Sequence, residues 1–368
     1  MKYALVHDDL FQRGGAENVV FSFIDILKNP PLFTSIVDKK KFADIDNLYT
    51  SFMQKIPFKN ALYKKMFFLY PLAFESFNFD NFDIVVSSST RFAHGIITPP
   101  STMHICYMHS PSRYIWDMDY IKMQKLSKTQ KLVIPFIVSY LRLWDSVASS
   151  RVDFFIANSS YTKDRIQKFY KRDSTVIHPP VNTKHFEKVK SLGNDYFLYV
   201  GRLAEWKRVD IVIEAFNQLK KPLHIVGVGD KKYVKKLRSI ANKNIEFLSF
   251  LTDDKLLGEY AGCKALIFPS KEDFGIAPIE ALSCGKPVVA FEVGGVLDYM
   301  VDGSTGVLFK KQTASSLKEA IERFDSMRFD EDKLRSIASD YSTDKFRENI
   351  ENFIEISYEK YKKNSYCN

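Results

Sequence analysis

The sequence contains few cysteines and lacks several patterns that mark common classes of protein. Its four cysteines show no Cys-x-x-Cys spacing, so we expect structural thiols in a reducing compartment. No Gly-x-Ser-x-Gly elbow occurs, and Gly227-Val228-Gly229 and Gly285-Lys286 each lack a glycine that a dinucleotide fingerprint or a P-loop requires. The seven histidines show no metal-ligand spacing. The Asp-x-Asp pairs at 44–46 and 117–119 are short enough to arise by chance, so no metal site is predicted.

The chain also lacks a signal-peptide pattern and a long apolar run. The apolar run at its start is short and ends in Asp8 and Asp9. The longest largely apolar run, Leu132 to Leu141, contains Pro135 and is too short to span a bilayer. We therefore expect a cytoplasmic protein whose membrane contact would be peripheral, on the inner face of the cytoplasmic membrane.

Length and composition predict a folded protein of about two domains. The chain has 368 residues, of which 45% are hydrophobic and 26% charged, an ordinary globular composition. Its formal net charge of +9 favours acidic partners such as phosphorylated substrates, anionic lipid headgroups or nucleic acid. Aromatic residues make up 14% of the chain, and many lie beside lysine. That mixture fits a membrane interface as well as nucleic acid.

Strand and helix patterns alternate along the chain, which predicts an α/β protein with two doubly wound domains facing each other across a cleft. The best boundary is Pro179-Pro180, because consecutive prolines remove two backbone donors and bar a helix. The alternation restarts at Tyr196, and the pattern is helical after Thr313. We therefore predict domains over residues 1–180 and 181–343.

Residues 272–290 carry the most informative pattern. A predicted strand is followed by a loop with Glu272 and Gly275, and then by a helix predicted over about 278–285. Such a loop lies at the carboxyl edge of a parallel sheet, where ligands bind and helix amides favour an anion. Glu280 lies in the first turns of the helix. Two carboxylates beside an anion-binding helix start indicate a ligand with both phosphate and hydroxyl groups, such as a nucleotide sugar.

Arg202 and Lys207 follow the first predicted strand of the second domain, so their loop should reach the same edge as Glu272. Both could bind a diphosphate, Arg202 bidentately and Lys207 as a point charge. Two fixed cations would neutralise a departing diphosphate without a metal. The alternative is a solvated basic loop, but the neighbouring Glu272 loop favours a ligand site.

A glycine-rich loop follows the first strand of the first domain. Gly14-Gly15 comes just after Asp8 and Asp9 and precedes a predicted helix. Glycine here permits close approach of the backbone to a phosphate or sugar. A simple turn is the alternative.

His109, Arg113, Tyr114 and Trp116 follow the predicted strand that ends at Met108. They supply a titratable group, a cation and two aromatic rings, a set that can stack on sugar rings and bind hydroxyls or phosphate. A lone histidine is more often structural. A cluster of these types in a strand-end loop instead favours binding.

Lysines alternate with aromatic residues in two stretches of the first domain. One extends from Lys39 to Phe68, and the other, Lys122 to Lys131, precedes the apolar segment 133–143. A helix with lysine on one side and aromatic residues on the other would lie on an anionic membrane. The alternative is a solvated face over an ordinary core. We include an anionic membrane among the expected partners and exclude nucleic acid.

Together these residues resemble the retaining glycosyltransferases of family 4, which have the GT-B fold. The resemblance covers most of the chain and is strongest from Tyr196 to Leu308, in the motifs Gly201-Arg202-x4-Lys207, Glu272-x7-Glu280 and Gly294-Gly295. The phrases around Gly15-Ala16-Glu17 and His109-Ser110-Pro111 look like bacterial O-antigen mannosyltransferases, which implies GDP-mannose as donor. Many members have Phe-Leu-Gly where this chain has Phe247-Leu248-Ser249, so guanine and uracil both stay open.

The resemblance implies roles for the site residues. Arg202 and Lys207 would bind the donor diphosphate and Glu280 the ribose; Glu272, with amides at Phe274, Gly275 and Ile276, would hold the donor sugar. His109 would contact that sugar near the reacting carbon, Gly14 and Gly15 would form the family's first loop, and the final helix, about 344–368, would pack back on the first domain. The residues themselves make Asp8, Asp9, Arg113, Tyr114 and Trp116 our candidates for the acceptor.

The sequence therefore predicts a metal-independent enzyme, without a cofactor, that transfers a hexose with retention. Mannose from GDP-mannose is favoured, and the acceptor is a lipid-linked or oligosaccharide molecule of bacterial surface polysaccharide synthesis. No nucleophile is evident, which favours front-face displacement, with His109, Arg202, Lys207 and Glu272 as the catalytic set. A sugar-nucleotide epimerase or hydrolase and a non-catalytic nucleotide-sugar-binding protein are the alternatives.

Overall fold

The computed structural model describes residues 1–57, 66–117, 128–186, 193 and 195–365. The chain divides into two compact units. Unit 1 comprises Met1–Pro180 and Phe346–Asn368, and unit 2 comprises Val181–Lys345. Each unit is built on one parallel sheet.

Unit 1 contains a seven-stranded parallel sheet. Its strands are β1 Tyr3–His7, β2 Leu32–Thr34, β3 Leu48–Thr50, β4 Ile84–Ser89, β5 Met103–Met108, β6 Phe154–Ala157 and β7 Thr175–Val176. They lie in the order β3-β2-β1-β4-β5-β6-β7. In the central strand β4, alternate side chains pack into two different cores. Val85 packs on one face of the sheet, and Ile84 and Val86 pack on the other. Burial on both faces explains why these strands read as continuous apolar runs.

Helices of unit 1 cover both faces of this sheet. They are α1 Gly15–Ile26, α2 Tyr70–Glu75, α3 Arg113–Trp116, α4 Lys128–Ser149 and α5 Ser160–Tyr170. The first turn of α5 is capped by Ser159, whose side chain accepts a hydrogen bond from the amide of Thr162.

Unit 2 contains a six-stranded parallel sheet in the order β10-β9-β8-β11-β12-β13. Its strands are β8 Phe197–Val200, β9 Leu223–Val226, β10 Ile245–Ser249, β11 Leu266–Phe268, β12 Val288–Phe291 and β13 Gly306–Phe309. Its helices are α6 Thr183–Phe186, α7 Val209–Leu219, α8 Lys231–Ile240, α9 Asp253–Gly262, α10 Ile276–Ser283, α11 Ala314–Asp325 and α12 Glu331–Ser339. Because β8 lies directly beside β11, the loops that follow these two strands are neighbours at the carboxyl edge.

The predicted α/β class with two Rossmann-like domains is confirmed. Three short strands, β2, β3 and β13, were not predicted. Helix α10 begins at Ile276, two residues before the predicted start, because Gly275 occupies its N-cap position. The lysine and aromatic residues of the two predicted basic stretches at positions 58–65 and 118–127 lie outside the described residues, as does Asp119.

Helix α4 differs most from its sequence expectation. Pro135 lies inside it without interrupting it. By length and composition alone, its segment Leu132–Ser149 is long and apolar enough to cross a membrane. This segment is longer than the run Leu132–Leu141 that the sequence analysis took as the longest apolar stretch. A third of that segment is buried inside the protein.

The last helix, α13 Thr343–Ser365, completes the core of unit 1. Phe346, Ile350 and Ile354 recur every fourth residue and are buried, which is the spacing of one helix face. The Phe346 ring packs edge-to-face on Phe23 and Tyr107, with centroid separations of 5.6 and 5.8 Å. Unit 1 is therefore assembled from both ends of the chain.

Replacing Phe346 should test this contribution. Phe346→Ala removes a buried ring from the core, so we expect the free energy of unfolding to fall by about 3–5 kcal/mol. Ile356→Ala, on the exposed side of the same helix, should change it by less than about 0.5 kcal/mol. Urea titration followed by circular dichroism measures both. Similar losses for the two variants would contradict the assigned packing.

Candidate functional site

The carboxyl edge of the unit 2 sheet brings a cation and a carboxylate together. Lys207 lies in a short 3-10 turn after β8, and Glu272 lies in the loop after β11. Their side chains form an ion pair, with Lys207 Nζ 2.7 Å from a carboxylate oxygen of Glu272. Both side chains are about one-fifth exposed. The pair is therefore only partly screened by water, and solvent-borne ligands can reach it.

Glycine allows the Glu272 loop to contact the loop after β12. A single parallel bridge joins Glu272 to Gly294, and the amide of Gly295 donates to the Glu272 carbonyl at 2.9 Å. A Cβ on Gly294 would lie 2.3 Å from that carbonyl oxygen, and its φ of 102° disfavours other residues. The predicted Gly294-Gly295 motif thus sets the position of the Glu272 backbone.

The start of helix α10 presents backbone rather than side chain at this edge. The Phe274 ring is buried and packs against Tyr299 at a centroid distance of 5.5 Å. The Tyr299 hydroxyl donates to the carbonyls of Phe274 and Gly275 at 3.0 and 2.9 Å. Gly275 has a φ of 94°, and a Cβ there would clash with Phe268 and Tyr299. These contacts fix the loop whose amides, through Ile276, were predicted to hold the donor sugar.

Glu280 lies one turn into α10 and has a partner that the sequence did not reveal. The buried Tyr260 hydroxyl in α9 donates to its carboxylate at 2.6 Å. Burial raises the pKa of Glu280, and the Tyr260 hydrogen bond opposes that rise. A carboxylate has about four acceptor positions, so Tyr260 leaves capacity for ligand hydroxyls.

Arg202 lies two residues after the end of β8. It precedes the 3-10 turn that carries Lys207. Its carbonyl accepts a hydrogen bond from the buried Tyr199 at 3.3 Å. Ser249, which replaces the glycine of many resembling proteins, has a φ of 59°. That left-handed backbone explains why glycine suits this position. The chain keeps the same backbone with a serine.

In unit 1 the predicted acceptor residue Asp8 hydrogen-bonds to the segment that follows β4. Its carboxylate accepts hydrogen bonds from the amides of Thr90, Arg91, Phe92 and Ala93. Despite burial, the pKa of Asp8 is lowered by nearby Arg91 and His7 and by those backbone bonds. Both carboxylate oxygens thus hold the segment after β4. Asp8 therefore positions this loop.

Asp9 is paired within the same loop cluster. Its carboxylate accepts from the Tyr70 hydroxyl at 2.8 Å and forms an ion pair with Arg91. Tyr70 and Arg91 were not predicted as site residues. Their sequence surroundings gave no signal, because their partner lies more than 60 positions away.

Gly14 and Gly15 begin helix α1, with Gly14 as its N-cap in an extended conformation. A Cβ on Gly14 would lie 3.2 Å from a carboxylate oxygen of Glu17. Glu17 is buried, and that burial raises its pKa, although His7 opposes the rise. Glu17 was not predicted as a site residue. In the sequence, the signal for Glu17 was an acidic residue on the buried face of a predicted helix, next to two glycines.

His109 is joined to the neighbouring strands. Its Nε2 is 2.8 Å from the Ser88 hydroxyl, which also lies 3.2 Å from His7 Nδ1. Burial lowers the pKa of His109 to about 3, and His7 adds to the effect. His109 is therefore a neutral hydrogen-bonding group. The sequence signal for Ser88 was the run of three serines that ends the buried strand β4.

The predicted acceptor residue Trp116 contacts neighbouring helices of unit 1. Its ring stacks on Phe169 with a centroid distance of 4.8 Å, and the Arg142 guanidinium lies 5.9 Å from its centroid. Its indole nitrogen donates to buried Asp145 at 2.7 Å. Packed in this way, Trp116 anchors α3. Arg113 and Tyr114 on the same short helix are partly exposed.

Among the described residues, no group of three or more His, Cys, Asp or Glu side chains is placed to hold a metal ion.

The buried histidines should make stability depend on pH. His109 and His104 both have a pKa of about 3 in the folded protein, against about 6.5 when free. Below pH 6.5 the unfolded chain gains protons that the folded chain does not, so stability is full above pH 6.5 and falls as the pH drops towards 3. We expect the melting temperature of His109→Asn to fall less steeply between pH 7 and 5 than that of the wild type. His104→Asn should behave in the same way, and curves parallel to the wild type would contradict the assignment.

Comparison with known proteins identifies the region that carries the unit 2 site. Residues 180–345 match the model of the family described as "Glycosyl transferases group 1". The chain is 32% identical over 186 residues to an uncharacterized glycosyltransferase of Methanocaldococcus jannaschii, covering 49% of this chain and 52% of that protein. It is 23% identical over 228 residues to the D-rhamnosyltransferase WbpZ of Pseudomonas aeruginosa, covering 58% of each. The chain thus spans about half the length of these curated relatives.

A solved structure matches nearly the whole fold. Anabaena HepE in complex with UDP aligns with a TM-score of 0.71 at 19% identity, covering 96% of this chain and all of HepE. HepE was also solved with UDP-glucose. At this identity the likeness shows the fold alone. Residues 180–345 thus match the glycosyl transferases group 1 family, and the two parallel α/β domains of the chain have the fold of GT-B glycosyltransferase structures.

Proposed function

We propose that this chain transfers a hexose from a nucleotide sugar to a lipid-linked or glycan acceptor, with retention at the anomeric carbon. The observation that carries the proposal is the Lys207–Glu272 ion pair at the carboxyl edge of the unit 2 sheet. It lies within the segment that matches the family and beside the amide-presenting start of α10. The place in metabolism that we propose is bacterial surface polysaccharide synthesis.

Unit 2 binds the donor in this proposal. Arg202 and Lys207 bind the diphosphate, and the Glu280 carboxylate accepts hydrogen bonds from the ribose hydroxyls. Glu272 and the amides near Phe274–Ile276 hold the donor sugar. The ion pair supports these two roles because Lys207 orients the Glu272 carboxylate towards its ligand. The other N–H donors of the Lys207 ammonium group can bind phosphate oxygens.

The proposed chemistry is front-face displacement. The bond between the anomeric carbon and the leaving phosphate breaks as the acceptor hydroxyl oxygen bonds to the same face of that carbon. The departing phosphate oxygen accepts the hydroxyl proton, so no protein nucleophile is needed. Arg202 and Lys207 stabilise the negative charge that develops on the phosphate, and this needs no metal.

Unit 1 binds the acceptor in the proposal. Its candidate acceptor-binding residues are Arg113 and Tyr114, which are partly exposed on the short helix α3. His109 serves the donor sugar as a neutral hydrogen-bonding group, since its pKa of about 3 keeps it uncharged near neutral pH. Asp8 and Trp116 contribute by holding the loops in place.

Lys207→Ala tests the phosphate contact. Loss of one charge that acts on the transition state should lower kcat by about 100- to 1,000-fold, with the melting temperature nearly unchanged. Lys221→Ala is a matched control, because Lys221 pairs with Asp325 at 2.6 Å and is similarly exposed, yet precedes β9 at the opposite edge. Activity is measured as acceptor-dependent release of nucleoside diphosphate. Near-normal turnover of Lys207→Ala would remove Lys207 from the site.

A thermal-shift screen of nucleotide sugars tests the donor. A ligand that binds the folded state at 100 times its Kd stabilises it by about 2.7 kcal/mol. We expect GDP-mannose to raise the melting temperature and UDP-glucose to raise it less. The reverse order would reject the mannosyl donor, and no response to any donor would reject the nucleotide-sugar site.

Two product assays complete the test. With donor alone, a transferase should give only slow hydrolysis, whereas an epimerase or hydrolase converts the donor fully. In the presence of acceptor, turnover should persist in EDTA, and loss of activity there would contradict the metal-free account.

A further inference from the structure

We propose that the outer face of helix α4 docks on the surface of an anionic lipid bilayer. Six large apolar side chains of this helix are exposed, at 52–75% of their full accessibility. They are Leu132, Val133, Phe136, Tyr140, Leu143 and Val147. Apart from Val133, they recur at intervals of three or four residues, so they form one stripe along the helix. We call this stripe the apolar face of α4.

The opposite side of α4 is already used by unit 1. Val138, Leu141, Asp145 and Ala148 are buried there, again at intervals of three or four. A helix that is apolar on both sides buries one side in the core and needs an apolar or interfacial environment for the other. Exposed apolar patches of this kind mark interaction surfaces.

The charges of α4 select an anionic lipid surface. From residue 128 to 144 the charged residues are Lys128, Lys131 and Arg142, all of them cations. The first acidic residue, Asp145, is fully buried. Lys128 and Lys131 belong to the first turn of the helix. Apolar side chains with flanking cations and an exposed tyrosine are the composition of a helix that lies in an anionic interface.

The contacts of the buried side keep the helix on the surface rather than across the bilayer. Asp145 accepts from Trp116 and from the Tyr170 hydroxyl, each at 2.7 Å. Arg142 Nε donates to the Ile115 carbonyl at 2.6 Å. A spanning helix would break these bonds and place Arg142 and Asp145 in hydrocarbon, where both are strongly disfavoured.

The same contacts connect the apolar face of α4 to the proposed acceptor residues. Ile115 and Trp116 belong to α3, which also carries Arg113 and Tyr114. Docking of α4 would therefore hold α3 at a fixed height above the headgroups, where a lipid-linked acceptor presents its sugar. This link rests on the proposed function, whereas vesicle binding needs no catalysis.

Vesicle sedimentation of the full chain tests the docking. We expect the wild type to bind vesicles of phosphatidylcholine with 30% phosphatidylglycerol at least about tenfold more tightly than pure phosphatidylcholine at 0.1 M salt, and 0.5 M salt should weaken that binding. Equal binding to both vesicles, or binding to neither, would overturn the proposal.

Paired substitutions locate the face. Phe136→Ser/Leu143→Ser should lower binding to the anionic vesicles by at least about tenfold. The matched control is Phe250→Ser/Ile356→Ser, whose side chains are 77% and 58% exposed elsewhere, against 75% and 67% for Phe136 and Leu143. The control should bind as the wild type does, with all melting temperatures alike. Equal binding by the two double variants would overturn the assignment to α4.

Three further measurements test the charge contribution and the other occupants of this face. Lys128→Glu/Lys131→Glu should also reduce anionic binding by at least about tenfold, and unchanged binding would remove the charge contribution. Extraction of cell membranes with alkaline carbonate should release the wild type; retention would show a spanning helix and overturn the proposal. A dimer in light scattering that Phe136→Ser/Leu143→Ser converts to monomer, without vesicle binding, would assign the face to a second copy instead.

Discussion

Burial of the parallel strands on both faces is the constraint on which the rest of this structure depends. Because β4, β5, β11 and β12 are covered from both sides, polar side chains are concentrated where the strands end. The loops after β8 and β11 become neighbours because those strands are adjacent. The Lys207–Glu272 pair and the strand-end cluster around His109 both follow from this arrangement.

The sequence predicted most of the fold because burial on both faces leaves apolar runs that can be read directly. It missed β2, β3, whose residues are not fully buried, and β13, whose first residue is Gly306. The helix at Ile276 was placed two residues late because Pro278 reads as a helix start. Its N-cap, Gly275, depends on contacts with Phe268 and Tyr299 that no local pattern shows.

For the candidate site, residue types were predictable but partners were not. Lys207 and Glu272 could be placed at one edge from the strand pattern alone. By contrast, Asp8 and Trp116 were predicted to bind the acceptor from their residue types, and the sequence did not reveal that both also form hydrogen bonds within the protein. The amides after β4 and the side chain of Asp145 are their partners. Such long-range hydrogen bonds are specified by topology rather than by neighbours in sequence.

The two-ended assembly of unit 1 has a consequence for synthesis of the chain. A ribosome releases residues 181–345 before the segment that contains Phe346, Ile350 and Ile354. Unit 2 can therefore close its core while unit 1 still lacks one helix and exposes Phe23 and Tyr107. Unit 1 is translated first but can complete its core only last, so its incomplete core is the part of the nascent chain that is exposed to aggregation.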